Sequence, residues 1–294
     1  VASACVAGTV AGIVAAWAGV ALERARLHEH TADVARHLQR SLLAGEPPRD
    51  ERYAVAAVYR PGVETLEVGG DFYDVVDAGG GALAVVVGDV VGRGLEAAAA
   101  MGQLRSAVRA LAPLRAGPAQ LLTRLDAFAD QVEAAGMATV AHAELDLATG
   151  ALRYACAGHL PPVLVRARGR GEGRGELLWG GRSTPLGAYA PGRSRGDALV
   201  HLRPGDRLLL CTDGLVERRD RELDAGLEVL AAVAARAGRL PLGEAVAAVA
   251  EELLRDEDHH DDVCVLLLEW RGAGVAAGAA GPAPGPAQRC PAGA

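Results

Sequence analysis

The sequence predicts an α+β sandwich with antiparallel sheets. Two features indicate this class: short Val-rich runs punctuated by Gly and Pro, and helical segments inserted in pairs between groups of those runs. The aromatic content is only 3%, so the core must be built from Val, Leu and Ala. Strands that come in groups, with helices between the groups, favour layered antiparallel sheets over the strict alternation of a parallel fold. With 294 residues, half of them apolar, the chain can bury one large core or two small ones.

The beginning of the chain is apolar and is followed by a charged helical pattern. Residues 1–22 carry no charge, so a membrane span and a buried helix at the end of an upstream domain both remain open. Residues 23–46 keep apolar side chains at helical spacing and end on a Gly-Glu-Pro-Pro run, which predicts a connector helix. Such a helix could pair with a second copy to form a homodimer, and a solvated spacer is the alternative.

The strand pattern begins after this connector and continues almost to the end of the chain. Strands are predicted at residues 53–59, 66–76, 82–90, 137–147, 151–156, 162–168, 207–211 and 263–270. Helices are predicted at residues 95–111, 119–134, 225–237 and 243–255. Residues 271–294 are mostly Gly, Ala and Pro, so we expect a disordered tail there.

Charge and cysteine content exclude some functions and favour one compartment. The net charge is −7 and every basic residue is Arg, which argues against a nucleic-acid partner because phosphate backbones need a basic face. The five cysteines show no CxxC spacing, as expected for reduced thiols in the cytoplasm. Membrane anchoring remains an alternative only through residues 1–22.

Acidic residues stand at the ends of several apolar strand-like runs. Asp71 follows two glycines, Asp89 ends a fully apolar run, Asp213 follows another, and the pair Asp261 and Asp262 precedes the last one. A carboxylate at the end of a buried strand is costly unless a cation lies nearby. Carboxylates that converge from distant strands form the oxygen-ligand site that divalent metals take, and metal-bound water can become hydroxide near neutral pH. The pattern therefore predicts a metal-dependent phosphoryl hydrolase.

Other aspartates have a simpler interpretation. Asp74, Asp77 and Asp206 also lie near strand ends, but they do not belong to the ordered set formed by Asp71, Asp89 and Asp213. Isolated aspartates in such places usually form turns or cap helices. We therefore predict structural roles for these three.

Several short motifs occur in one order along the chain. They are GGDFYD at residues 69–74, GDVVGRG at 88–94, AGHLPP at 157–162, TPLG at 184–187, CTDGLVE at 211–217 and DDV at 261–263. Together they closely resemble the SpoIIE-like bacterial branch of the PPM metal-dependent Ser/Thr protein phosphatases, over residues 40–270. The resemblance implies a four-layer α-β-β-α sandwich with two central antiparallel sheets, and a phosphatase domain at residues 47–270.

The resemblance also implies a centre of two divalent cations, Mn²⁺ or Mg²⁺. By match to the motifs, the metal ligands would be Asp71, a bridging Asp89, the carbonyl of Val90, Asp213 and Asp261, with Asp262 either beside the ligand or in its place. Asp89 and Asp213 would be essential to catalysis, and Arg93 would keep a positive group near the phosphate. His159 could be a general acid near the leaving oxygen, or it could form a hydrogen bond that orders its loop.

The resemblance also implies a sensor domain before the connector and a class of substrate. The connector resembles those that follow GAF-type sensor domains, so residues 1–22 would be the end of a truncated sensor. The substrate implied is a phosphorylated STAS-type anti-sigma-factor antagonist, attacked in line by a hydroxide held between the metals. Two further hypotheses stay open: a catalytically silent regulator that keeps the fold as a binding module, and a tethered or sensor-coupled component in which the connector is the working part.

Overall fold

The structure is a computed structural model that describes residues 17–26, 45–60, 62, 69–132, 136–167, 175–188, 195–218, 221–254 and 261–274. Most of the predicted connector, the start of the apolar segment and residues 275–294 of the predicted tail therefore lie outside the described residues. Within the described ranges, no helix combines the length and the apolar character needed to cross a bilayer.

Along the chain, groups of strands are interrupted twice by a pair of helices. The strands are β1 (Tyr53–Arg60), β2 (Phe72–Gly79), β3 (Ala82–Asp89), β4 (Thr139–Asp146), β5 (Ala151–Ala157), β6 (Val163–Val165), β7 (Glu176–Leu177), β8 (Arg182–Ser183), β9 (Ala198–His201), β10 (Arg207–Cys211) and β11 (Val263–Trp270). The helices are α1 (residues 17–26), α2 (Leu95–Leu111), α3 (Pro118–Ala129), α4 (Leu223–Ala237) and α5 (Leu242–Leu253). Helix α1 is exposed along its length.

The strands form two sheets. Sheet A has the order β1-β11-β10-β6-β7, and sheet B has the order β2-β3-β4-β5-β8, with β9 also paired to β5. Neighbouring strands are antiparallel except for the short parallel contact between β5 and β8. Each sheet contains pairs of strands that are adjacent in sequence and pairs that are far apart in sequence. Strand β11, near the end of the described chain, lies between β1 and β10 and pairs with both.

Three apolar cores separate four layers. One core lies between the two sheets, a second lies between sheet B and helices α2 and α3, and a third lies between sheet A and helices α4 and α5. Strand β3 is buried on both faces. Leu83, Val85 and Val87 face sheet A, whereas Ala84 and Val86 face the helices. Side chains alternate along a strand, so burial on both faces demands a continuous apolar run. The predicted α-β-β-α sandwich is confirmed.

Long elements match the sequence prediction better than edge elements do. The helix predicted at residues 95–111 and the strands predicted at 207–211 and 263–270 have the same bounds in the structure. The strand predicted at residues 162–168 is shorter and is limited to Val163–Val165. Strands β7, β8 and β9 were not predicted, because two to four residues give no detectable periodicity.

Asp74 has a structural role that differs from the predicted one. Its carboxylate is fully buried on sheet B and pairs with two arginines of α2: Arg105 donates from Nε to Oδ2 at 3.0 Å, and Arg109 donates from Nη2 to Oδ1 at 2.7 Å. The interpretation of Asp74 as a turn former or helix cap is therefore wrong, because this carboxylate joins a helix to the sheet. Asp77 does form a turn, accepting from the Gly79 amide at 2.8 Å.

Asp206 organises a loop, in line with its predicted structural role. Its buried carboxylate accepts hydrogen bonds from the amides of Arg203 and Ala167 at 2.9 and 2.8 Å, and from the Arg166 guanidinium at 3.0 Å. It contributes nothing to the acidic cluster described below.

We predict that Asp74→Asn lowers the free energy of unfolding by about 2 kcal/mol, because it removes the charge that compensates two arginines at a buried site. Urea unfolding with and without the substitution measures this. Asp77→Asn is the matched control on the same strand: an amide can still accept from Gly79, so we expect a change within about 0.5 kcal/mol. Equal effects of the two substitutions would contradict the role given to Asp74.

Candidate metal centre

Two aspartates of sheet B lie opposite each other at one end of the sheet. The register pairs Phe72 of β2 with Gly88 of β3, and its continuation places Asp71 opposite Asp89. The Val90 amide donates to the Gly70 carbonyl at 3.2 Å, so the two chains stay together past the last strand pair. Directly opposite residues on neighbouring strands have Cβ atoms about 5 Å apart, close enough for both carboxylates to face one ion.

Sheet A brings its own aspartates to the same end of the sandwich. Asp213 begins a short 3-10 turn after β10, and Asp261 and Asp262 directly precede β11. These two strands are paired, and the Thr212 amide extends the pairing by donating to the Cys264 carbonyl at 3.0 Å. The turn at Asp213 packs against the backbone of Asp262, because a Cβ on Gly214 would lie only 2.3 Å from the Asp262 carbonyl oxygen.

The pKa values show that the carboxylates of both sheets share one environment. Burial raises the pKa of Asp71 well above its usual range, and the charges of Asp89, Asp262 and Asp213 raise it further. The pKa of Asp89 is raised to about 6, mainly by burial and further by the negative charges of Asp213 and Asp261. Carboxylates raise each other's pKa only when they are close, so these acids of the two sheets lie near one another at this end of the sandwich.

The donor set fits a hard divalent cation. It consists of carboxylate oxygens together with the Val90 carbonyl, and oxygen donors of this kind suit Mg²⁺ and Mn²⁺. Gly70 makes the carbonyl available, because a Cβ at that position would lie 2.1 Å from the Val90 oxygen. Among the described residues, no three His, Cys, Asp or Glu side chains already stand in a ready-made coordination arrangement.

The pair before β11 divides into an exposed and a buried member. The Asp262 carboxylate accepts from the Tyr59 hydroxyl at 3.0 Å and from the Gly62 amide at 2.8 Å. It occupies the space beside Gly69, where a Cβ would lie 1.0 Å from Oδ2. The Asp261 side chain is 62% exposed and lies 3.5 Å from the Arg93 guanidinium. The Asp262 carboxylate is therefore engaged with Tyr59 and the Gly62 backbone, whereas the Asp261 carboxylate is open to solvent beside Arg93.

Arg93 stands at the rim of the pocket on a glycine-flanked turn. Gly92 and Gly94 have φ angles of 109° and 91°, which residues with a side chain rarely adopt. The Arg93 side chain is 42% exposed and ion-paired with Asp261, so its guanidinium can reach an anion that enters the site.

His159 is buried, and both of its ring nitrogens are engaged. Nε2 lies 3.1 Å from the Cys211 carbonyl, which can only accept, so Nε2 carries the proton and Nδ1 accepts from the Thr139 hydroxyl at 2.7 Å. Burial lowers the pKa of His159 to about 4, and the bond to Cys211 opposes the shift only in part. A neutral imidazole held at both ends favours the loop-ordering role over the general-acid role.

Thr212 is one of two residues near the acidic cluster that the sequence interpretation missed. It is fully buried, donates from Oγ1 to Oδ2 of Asp71 at 2.6 Å, and accepts from the Cys264 amide at 2.9 Å. Its position directly before Asp213 in the CTDG motif was the available signal. Glu217, four residues after Asp213, was also missed, and its charge contributes to raising the pKa of Asp213 after the larger effect of burial.

The fold and the strand-end carboxylates define the class of PP2C-type, or PPM, phosphatase domains. Within that class, the chain belongs to the family described as Stage II sporulation protein E (SpoIIE), whose profile matches residues 79–271. Asp71 precedes the matched residues, and the strand register places it beside Asp89.

Individual relatives agree with this membership. Phosphoserine phosphatase RsbU of Bacillus subtilis (strain 168) is 25% identical over 192 residues, which cover 64% of this chain and 53% of RsbU. Protein IcfG of Synechocystis sp. is 26% identical, over 63% of this chain and 32% of IcfG. The chain thus spans about half of the one relative and a third of the other.

Solved structures show the same architecture. The crystal structure of the RsbU and RsbW domains of Rv1364c from Mycobacterium tuberculosis has a TM-score of 0.67 and 35% identity, covering 75% of this chain and 60% of that chain. The SiaA-PP2C domain of Pseudomonas aeruginosa has a TM-score of 0.65 and 18% identity, covering 84% of this chain and 98% of that chain.

We predict that the metal-free protein loses stability as the pH rises through about 6. The pKa of Asp89 rises from 3.8 to about 6 on folding, so the folded state binds this proton more tightly than the unfolded state does. The resulting stabilisation is present below pH 3.8 and is lost as the pH passes about 6. Two pKa units correspond to about 3 kcal/mol, and the raised pKa of Asp71 acts in the same direction.

Urea unfolding in EDTA at several pH values measures this dependence. We expect Asp89→Asn to flatten it and, above about pH 7, to be more stable than the unsubstituted protein, because a neutral amide removes the repulsion. Asp77→Asn, an exposed change on β2, should leave the dependence intact. An unchanged pH dependence in Asp89→Asn would show that folding does not raise the pKa of the Asp89 carboxyl.

Proposed function

We propose that this chain is a metal-dependent phosphoserine/phosphothreonine protein phosphatase. The observation that carries the proposal is that Asp71 and Asp89 of sheet B lie near Asp213 and Asp261 of sheet A, whose charges contribute to raising the pKa of Asp89 after the larger effect of burial. Thr212, the residue next to Asp213, holds the Asp71 carboxylate at 2.6 Å. Family membership and the name of the relative RsbU, a phosphoserine phosphatase, support the same activity.

Two divalent cations, Mn²⁺ or Mg²⁺, would lower the pKa of water and polarise the phosphoryl group when bound in this pocket. The fold-related RsbX, at 14% identity, was solved in complex with magnesium. In this chain the carboxylates of Asp71, Asp89, Asp213 and Asp261, together with the Val90 carbonyl, would hold the cations. Asp262 would hold the backbone at Gly62 and the side chain of Tyr59, both of which donate to its carboxylate.

Arg93 would bind and orient the phosphoryl group of the substrate. Its guanidinium lies at the rim, is partly exposed and lies 3.5 Å from Asp261, a contact that a phosphate can replace. His159 would stay neutral and hold Thr139 against Cys211, which keeps the two sheets aligned beneath the carboxylates.

The substrate we propose is a phosphorylated STAS-type anti-sigma-factor antagonist. Support comes from the likeness to RsbU and to the RsbU and RsbW domains of Rv1364c. We propose a cytoplasmic location, which fits the free buried thiols of Cys156, Cys211 and Cys264. Homodimerisation through the connector is a proposal that concerns residues largely outside the described ranges.

The test is a Mn²⁺ titration of phosphate release from a panel of phosphorylated STAS-domain proteins. We expect hydrolysis that depends on Mn²⁺ and falls at least about 100-fold in Asp89→Asn and in Asp213→Asn, because each substitution removes a metal ligand. Circular dichroism checks that both variants keep the fold, and Asp77→Asn is the control that should retain full activity.

A catalytically silent regulator with the same fold is the competing function. It predicts that Mn²⁺ binds, as calorimetry would detect, while neither phosphoprotein nor generic phosphomonoester is hydrolysed at any metal concentration. That result would replace the proposed activity with a binding role. Hydrolysis that persists in Asp89→Asn would place the chemistry elsewhere in the chain.

Arg93 gives a separate prediction about substrate binding. We expect Arg93→Ala to lower kcat/KM by about 10-fold or more, because it removes a charge-assisted hydrogen bond to phosphate, and Arg93→Lys to lower it less. Arg115→Ala is the matched control: Arg115 is also exposed and donates to the Gly79 carbonyl, at the opposite end of β2. Steady-state kinetics at saturating Mn²⁺ measure both. An unchanged kcat/KM in Arg93→Ala would remove Arg93 from the site.

A further inference from the structure

One hydroxyl group connects the two sheets at the acidic end of the sandwich. Thr212 extends β10 of sheet A, and its Oγ1 atom lies 2.6 Å from Oδ2 of Asp71, which precedes β2 of sheet B. The same oxygen lies 2.9 Å from the Cys264 amide of β11. Three strands from two sheets therefore meet at this atom, in a position with no solvent exposure.

The direction of both hydrogen bonds follows from the groups involved. The Cys264 amide can only donate, so the Thr212 oxygen accepts from it and its own proton points to the carboxylate of Asp71. One carboxylate oxygen of Asp71 is thereby fixed, which sets the orientation of this carboxylate at the acidic end of the sandwich. A hydroxyl performs this task and an isosteric methyl group does not, which separates the role of Thr212 from simple filling of the core.

The position in the chain adds a second constraint. Thr212 is directly followed by Asp213, the carboxylate that sheet A contributes to the pocket. Holding Asp71 by the residue next to Asp213 fixes the separation between carboxylates that belong to different sheets. The Thr212 amide is itself held by the Cys264 carbonyl at 3.0 Å, so the backbone at this point cannot shift freely.

We propose that Thr212 is a positioning residue that holds Asp71 of sheet B in register with Asp213 of sheet A and so sets the geometry of the metal centre. The inference rests on the proposed function, because it assigns the purpose of this contact to cation binding. Partners of metal-binding side chains typically change metal affinity by about 10- to 100-fold when they are lost.

The experiment measures Mn²⁺ affinity directly, by calorimetry or by electron paramagnetic resonance of free Mn²⁺, without reference to turnover. We expect Thr212→Val to weaken Mn²⁺ binding by about 10-fold or more, and Thr212→Ser, which keeps the hydroxyl, to stay within about 3-fold of the unsubstituted protein. Thr212→Ala is a second hydroxyl-free variant that still gives an answer if the Val side chain prevents folding.

The matched control is Ser183→Ala. The Ser183 hydroxyl also has two partners, donating to the Cys156 carbonyl at 3.0 Å and accepting from Arg195 at 2.7 Å, but it touches none of the pocket carboxylates. Thermal unfolding without metal should show that both Thr212→Val and Ser183→Ala are destabilised, whereas only Thr212→Val loses Mn²⁺ affinity. A role limited to stability would lower the melting temperature of both variants and leave both affinities unchanged.

The outcomes separate the inference from the function on which it rests. Mn²⁺ binding by the unsubstituted protein with equal binding by Thr212→Val and Thr212→Ala would overturn the positioning role and leave the phosphatase proposal standing. Absence of Mn²⁺ binding by the unsubstituted protein would overturn both. Weaker binding by the hydroxyl-free variants, restored in Thr212→Ser, would support the inference.

Discussion

The gathering of like charges at one end of the sandwich is the constraint on which the rest of the structure depends. Asp71 is almost fully buried, and its neighbours in the pocket are also acids, so its charged form is disfavoured by burial and by repulsion together. The hydrogen bond from the Thr212 hydroxyl acts in the opposite direction and lowers the pKa of Asp71. A protein can maintain such an arrangement when a cation supplies the missing positive charge. The electrostatic cost in the metal-free state and the proposed affinity for metal therefore have the same origin.

The surrounding layers fix the strand ends that bear these carboxylates. The core between the sheets sets the distance from β3 to β10, and the two outer cores press helices against the other faces. Buried ionic contacts, such as Asp74 with the arginines of α2, join helix to sheet away from the pocket. At the pocket itself, the sheets are connected by hydrogen bonds through Thr212 and His159. Rigid layers and a few directed bonds thus position charges that would otherwise separate.

Sequence reasoning succeeded where a signal repeats along the chain and was weaker where a role depends on a neighbour in space. Helix α2 and strand β11 were predicted with their correct bounds, because long periodic runs carry a strong signal. The motifs indicated Asp71, Asp89 and Asp213, which the structure brings to one pocket. Asp74 was misjudged because its arginine partners lie on a helix more than thirty residues away. Thr212 was missed because its hydroxyl meets Asp71 only when the two sheets are stacked.

Alternating and continuous apolar runs, turn residues and ordered acidic motifs are local properties, so the amino-acid sequence by itself determined the sandwich class, most of its strands and helices, and the candidate carboxylates. Tertiary structure decided which acids face one another and what each contacts. The difference between Asp261 and Asp262 shows this: two identical adjacent side chains point in opposite directions from the start of β11. One is exposed beside Arg93, and the other is buried against Tyr59 and Gly69. Burial and hydrogen-bond partners depend on residues far away in the chain, and no local pattern contains them.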